Sequence, residues 1–332
     1  MVVLGEEWQT AATVSLLNDM LCREGIRKRV VMFWNANNTF SFDRIDWAQL
    51  QKAATISTVS KYMKHIMSRM GLNPIVIPNG IPTSLLAEVD EGLVREVRKA
   101  LDADLLLCKI ARWDPDKRWN ASIEAIARLK EGGMRPVLVA RGGIEAHGQE
   151  VTRNALALGL TVKEATVKTG SPESYLSALR EAAPADVVDV KFHLPLDFLR
   201  ILYRAADGVL ANSGHEPFGI VGLEAMAAGG IAFTGCTGED YAIPFVNALV
   251  LETGEPLEIV GYLTYLREHP DESERIRRAA RETARYFTWE AALNNLISKV
   301  ENQARIQDNM CVDESYSRTK DRRPMNCVPV WN

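Results

Sequence analysis

The sequence carries no large surplus of either charge. Lys and Arg number 39 against 43 Asp and Glu, and a net charge of −4 leaves no basic footprint for nucleic acid. No apolar run approaches the roughly 20 residues needed to cross a bilayer. Met1 is followed by VVLGEE, which lacks the basic start and apolar core of a secretory signal. Cysteine is sparse: Cys22, Cys108, Cys236, Cys311 and Cys327 form no CxxC pair and have no His at ligand spacing. That argues against a disulfide framework or a zinc site and for reduced thiols in a cytoplasm. The glycine pairs never form G-x-G-x-x-G after a strand, so a nicotinamide dehydrogenase has no support. Internal repeats and low-complexity tracts are missing as well.

What is present is ordinary globular composition, 47% hydrophobic and 25% charged over 332 residues, enough for two domains and a sizeable core. Short strands alternate with helices, which indicates parallel α/β sheets. In residues 1–82 strands are expected at Val2–Leu4, Arg29–Phe33, Thr55–Val59 and Asn73–Pro78, thin for a complete open sheet. Helices are expected over Ala11–Glu24 and from Ser60 to Met70. A linker holding a short charged helix is expected over 83–104. From Leu105 to 288 a fuller alternation follows, with strands at Leu105–Ala111, Pro136–Ala140, Val187–Phe192, Val209–Ala211, Ile231–Thr234 and Ala248–Leu251. The first of these is apolar except for Lys109. Its helices are expected at Trp119–Lys130, Val151–Leu158, Pro172–Ala182, Leu196–Ala206, Pro256–Glu268 and Asp271–Tyr286. A last helix occupies 289–307, and the polar, aperiodic 308–332 reads as a mobile tail.

The chain is organised around Gly208–Gly230, GVLANSGHEPFGIVGLEAMAAGG. A strand, a glycine-bearing turn and an Ala-rich helix from Ile220, stopped by Gly229-Gly230, form an anion-receptive unit, because free N–H groups and the positive dipole end point outward. Glu216 sits on the turn and Glu224 one helical turn past Ile220. Carboxylates accept hydroxyl hydrogens, so the pair suits a polyhydroxyl ligand whose phosphates occupy the helix mouth. Arg112 and Lys117 follow the strand that opens the second alternation, where ligands gather in a parallel sheet. Two cations around a Pro-bearing loop can clamp a diphosphate and stabilise charge developing on it; alone, such a pair is more often two solvated charges.

The segment E-P-F-G-I-V-G-L-E, two glutamates separated by seven residues from Glu216 to Glu224, resembles the retaining, nucleotide-sugar-dependent glycosyltransferases of family 4, which have the GT-B architecture. VLGEEWQTA, TISTVSKYM and VIPNGIP resemble the second half of that family's N-terminal domain. The resemblance covers most of residues 2 to 305. It implies two Rossmann-like parallel-sheet domains, the first lacking its first half, and a C-terminal crossover helix. It also implies hexosyl transfer from a nucleoside diphosphate sugar to an acceptor hydroxyl with retention, the donor phosphate oxygen taking the acceptor proton. Arg112 and Lys117 would hold the diphosphate and Glu224 the ribose. Glu216 with the backbone of Phe218, Gly219 and Ile220 would hold the sugar. Glu216, Arg112 and Lys117 are then the catalytic set, with no metal and no cofactor beyond the donor substrate.

The partners implied are a nucleotide sugar and a sugar or small-molecule acceptor, together with a missing N-terminal half-domain. The alternative reading is a non-catalytic nucleotide-sugar-binding remnant, or a partner subunit of a split transferase. A GT-B epimerase or phosphorylase fits the paired glutamates less well. His215 is weighed as a proton-transfer group and set aside in favour of the same-face mechanism. Thr237-Gly238-Glu239-Asp240-Tyr241 and Arg141-Gly142-Gly143 are weighed as nucleotide contacts, and Trp8, Gln9 and Asn35 as acceptor contacts.

Overall fold

In the computed structural model, which describes residues 1–235 and 238–307, the strands form two separate sheets in which every pair is parallel. The first sheet is built from β1 (Val2–Glu6), α1 (Glu7–Arg23), β2 (Val31–Ala36), α2 (Trp47–Ala53), β3 (Thr55–Thr58), α3 (Lys61–Ser68) and β4 (Ile75–Val76), in the order β1-β2-β3-β4. The strand expected from Arg29 starts later because residues 27–29 form a 3-10 turn, where the Arg27 guanidinium donates to the carbonyls of Val30 and Ala53 at 2.7 Å each. It also runs further, through Asn35, whose side chain accepts from Ser57 Oγ at 3.0 Å on the neighbouring strand. Helix α2 was not anticipated from the sequence; Asp46 caps it, accepting from Gln49 N at 3.0 Å.

The charged helix expected within the 83–104 linker forms as α4 (Glu91–Leu101) but is not a free connector. Its polar residues hide an apolar stripe of Val94, Val97, Ala100 and Leu101, all buried. That stripe packs on α7 (Pro172–Ala182) and α8 (Leu196–Ala205), so the linker reading is corrected over this helix.

The second sheet comprises β5 (Leu105–Ile110), β6 (Pro136–Arg141), β7 (Val162–Ala165), β8 (Val187–Val190), β9 (Gly208–Ala211), β10 (Ala232–Thr234) and β11 (Leu249–Val250). Its order is β11-β10-β9-β5-β6-β8-β7. The other helices are α5 (Trp119–Glu131), α6 (His147–Ala157), α9 (Ile220–Ala227), α10 (Pro256–Glu268), α11 (Pro270–Ala284) and α12 (Trp289–Ile306). Strand β7, at the sheet edge with Lys163 and Glu164 exposed, has too little apolar character to be read from sequence.

From β5 the chain first builds one flank of the sheet, through β6, β7 and β8, and then crosses back to build the other through β9. The crevice outside the carboxyl ends of β5 and β9 is therefore the topological switch point, where open α/β sheets bind their ligands.

Helix α12 returns to the first sheet beside β2, as the expected crossover helix. Both passages of the chain between the sheets meet: Ile81 N donates to Phe287 O at 2.8 Å and Trp289 N to Ile81 O at 3.1 Å. Gly80 permits this approach, since a Cβ there would lie 2.4 Å from Trp289 N and 2.6 Å from Thr288 C. Gly80→Ala is expected to lower stability by about 1–3 kcal/mol, as overpacking against backbone does. Thermal melts should show the drop against Gly254→Ala, where a Cβ meets nothing within 4 Å.

Candidate functional site

The loop after β5 is built for rigidity. Trp113 packs against Trp119 with ring centroids 4.0 Å apart and planes tilted by 40°. It occupies the space a Cβ at Gly142 would need, 2.0 Å from Trp113 Cε2, so this glycine serves packing. Trp119 Nε1 donates to Arg112 O at 2.8 Å, and Asp114 accepts from Asp116 N at 2.9 Å, shaping the 3-10 turn that carries Lys117. Arg118 takes a left-handed φ of 52° and donates to Thr253 O at 3.1 Å. Arg112 is exposed. Its charge reaches Glu145, whose carboxyl is held below its ordinary value chiefly by backbone N–H groups, its own and that of Trp113, with Arg112 contributing less.

The turn after β9 is tied to that loop at three successive residues. Gly214 N donates to Asp116 O at 2.8 Å, and His215 N donates to the Asp116 carboxylate at 3.1 Å. Next, Lys117 Nζ pairs with Glu216 Oε1 at 2.7 Å, the side chains only 12% and 23% exposed. His215, its ring largely exposed, is engaged by the same Asp116 carboxylate. The structure thus joins Lys117 and Glu216 directly and leaves Arg112 outside the pair.

Gly219 stands at φ 73°, the left-handed region that favours glycine, as the residue before α9; its carbonyl accepts from the Tyr241 hydroxyl. Phe218 is buried against Tyr241 and Phe287. Ile220 begins α9, presenting that helix N-terminus to the crevice loops. The helix closes as the two glycines suggested, with Gly229 at φ 75° donating to Met226 O at 3.0 Å and Gly230 to Ala225 O at 2.8 Å. Glu224 lies mostly buried on α9. Burial pushes its carboxyl up to about 7, against a smaller opposing pull from the Tyr203 hydroxyl. That hydroxyl is close to Glu224, yet it finds no hydrogen bond of good geometry among the described residues.

Two residues noted in the sequence have partners that sequence reasoning missed. Asp240 reaches across to the first sheet, its carboxylate accepting from Lys61 N at 3.1 and 3.2 Å at the start of α3; burial pushes it up to about 6. Beside it Glu239 lies 3.5 Å from His65. Lys109 is fully buried between β5 and β9. Its isolated charge in an apolar run was visible, but the partner that explains it was not. Of the acceptor candidates, Trp8 packs near Phe40 and beneath Arg44, Asn35 bonds Asn37 and Ser57, and Gln9 is exposed. Thr237 falls outside the described residues. Two clefts of about 350 and 290 Å³ lie away from the crevice, around Arg27 and Gln303 and around Arg204 and Arg278. No described helix is long and apolar enough to cross a membrane.

Residues 93–283 match the family model described as glycosyl transferases group 1. A D-inositol 3-phosphate glycosyltransferase from Thermomonospora curvata is 24% identical over 174 residues, 52% of this chain and 40% of that protein. A GDP-mannose-dependent alpha-(1-6)-phosphatidylinositol dimannoside mannosyltransferase from Mycobacterium tuberculosis is 23% identical over 259 residues, 76% of this chain and 60% of that protein. The matches thus span 40% and 60% of these relatives' length, less than two thirds of either. In three dimensions it is similar to Anabaena HepE solved with UDP, with a TM-score of 0.67 and 15% identity over 90% of this chain and 79% of that one. It is also similar to sucrose-phosphate synthase from Thermosynechococcus elongatus, with a TM-score of 0.61 and 17% identity over 91% and 73%.

Proposed function

The chain belongs to the glycosyl transferases group 1 family, and from that premise we propose that it moves a hexose from a nucleoside diphosphate sugar to an acceptor hydroxyl with retention. The observation that carries this reading is the Lys117–Glu216 pair at the switch-point crevice, one partner from each of the two loops that border it. A diphosphate arriving at the N-terminus of α9 draws Lys117 away from Glu216 and engages Arg112 from the exposed side of the loop. Glu216, released, accepts hydroxyls of the sugar, and Glu224 accepts those of the ribose. The cations and the helix dipole balance charge on the departing nucleoside diphosphate, while its phosphate oxygen takes the acceptor's proton. A reducing cytoplasm suits thiols that stand unpaired, as Cys22 and Cys108 do.

A specific observation favours the second reading, a nucleotide-sugar-binding subunit whose first sheet is completed by a partner half-domain. β1 is an edge strand with Val2 and Leu4 47% and 54% exposed, and α1 beside it leaves Leu16 and Met20 59% and 58% exposed. An apolar edge of this kind is a template for a further strand.

Of the two relatives, the mannosyltransferase alone is named with its donor, GDP-mannose, and HepE was solved with UDP, so the test is a thermal-shift panel of UDP, GDP and ADP and their sugars on the purified chain. One nucleotide is expected to raise the midpoint, since a ligand binding the native state stabilises it by mass action. A folded protein that none of them shifts would sink the donor assignment. Transfer or donor hydrolysis by the same protein would then separate the enzyme from the binding subunit.

A further inference from the structure

We infer that Lys109 is a positioning residue: its buried ammonium, held between β5 and β9, fixes the turn that carries Glu216 into the crevice. Side chains alternate along β5, so Leu105, Leu107 and Lys109 share one face, the face covered by α5. The first two fill it with hydrocarbon. Burying an ammonium at the third is among the most costly choices for a core position, and its two hydrogen bonds account for it. Nζ donates to Leu210 O at 3.1 Å and to Asn212 Oδ1, and it sits over the face of Trp119, 5.2 Å from the ring centroid.

The location gives those bonds their consequence. β5 and β9 pair only at Leu107–Gly208 and Cys108–Val209. Beyond that point the strands part, β5 toward Arg112 and Lys117, β9 toward the turn. Lys109 bridges the two strands where the ladder ends. Asn212 and Ser213 are both buried and lead directly to Gly214, His215 and Glu216, the residues bonded to Asp116 and Lys117. A shift at Asn212 therefore reaches Glu216 through the three residues between them, a short segment whose far end is already anchored. The function of Lys109 in donor binding rests on the proposed transferase reading; its hold on the turn does not.

Glu216, Lys117 and Arg118 are the charged groups that face it. Burial brings its ammonium down to about 7, Glu216 pulling upward and Lys117 and Arg118 downward. An anion entering beside Lys117 favours the charged form, so diphosphate binding takes up a proton here. The contribution to affinity is full below about pH 7 and fades as pH rises above it.

The test compares wild type with Lys109→Met, Asn212→Ala and the double variant, by hydrogen exchange over residues 212–219 and by titration with whichever of UDP, GDP or ADP shifts the wild type. Lys109→Met is expected to speed exchange in the turn and to weaken nucleotide binding, each by about tenfold, the scale of one hydrogen bond to a charged group. It should also flatten the decline in affinity above neutral pH. The double variant should add little to either single change, because both break the same link. Unchanged protection of the turn in Lys109→Met, or effects that simply add in the double variant, would overturn the inference. If Lys109→Met does not fold, Asn212→Ala decides alone, and a turn protected as in wild type refutes it. If no nucleotide binds wild type, the donor reading falls while hydrogen exchange still judges Lys109.

Discussion

Glu224→Gln is expected to make the protein more stable and a poorer nucleotide binder at once. Its carboxyl is raised from 4.5 to about 7 by burial. Between those values the native protein keeps a proton that the unfolded chain gives up, so stability falls as pH rises through the window, and the whole penalty is present above about 7. A gap of about 2.5 pH units at about 1.4 kcal/mol each makes that penalty about 3 kcal/mol. Glutamine keeps the shape and removes the charge. Its melting temperature should exceed that of wild type by several degrees at about pH 8 and converge with it toward about pH 5, where both side chains are neutral. If the carboxylate accepts ribose hydroxyls, the same substitution weakens nucleotide and nucleoside alike. A variant with raised stability and undiminished affinity would leave Glu224 a buried acid with no part in the donor site.

Lys117→Ala should discriminate between ligands that differ only in phosphate. A nucleoside diphosphate is expected to lose about 2–3 kcal/mol of binding, the range for truncating one partner of a partly buried charge pair, and the bare nucleoside little. The pair is sheltered enough from solvent that salt alone should not mimic the effect. Binding at this site is an exchange, in which the ammonium trades a carboxylate for a phosphate, so the measured loss is a difference between two attractions. Equal losses for nucleoside and diphosphate in calorimetric titrations would argue against a phosphate clamp.

Much of this was legible before any coordinates. The strand, turn and helix of Gly208–Gly230 were readable because glycines mark its boundaries: Gly219 at its left-handed entrance and Gly229-Gly230 at the helix stop. The Lys117–Glu216 contact was legible only as two loops meeting at a sheet's carboxyl end; the 2.7 Å pairing itself needed coordinates. The depth of Glu224 beside Tyr203 belongs to helix packing that local pattern does not encode. Asp240 was weighed as a nucleotide contact, and its reach to the first sheet was missed for a different reason. Its partner, Lys61 N, is 179 positions away, a backbone group with no side-chain signature. α4 was mistaken for a connector because charged residues outnumber the four that are buried, and α2 was passed over because it is seven residues long.

The hydrogen-bonded meeting of Ile81 with Phe287 and Trp289 bears on how the two sheets can move. Two separated crossings would act as a pair of bolts and lock the halves in one orientation. Two crossings bonded to each other act as a single axle. Any relative swing must turn about that axle, where Gly80 leaves no slack. Asp240 and Glu239 also reach the start of α3 through polar contacts that water can replace, and one hydrophobic cluster includes Met63 and Ile81 together with Phe218 and Tyr241. Any swing is therefore that of a lever about Ile81, and displacements grow with distance from it.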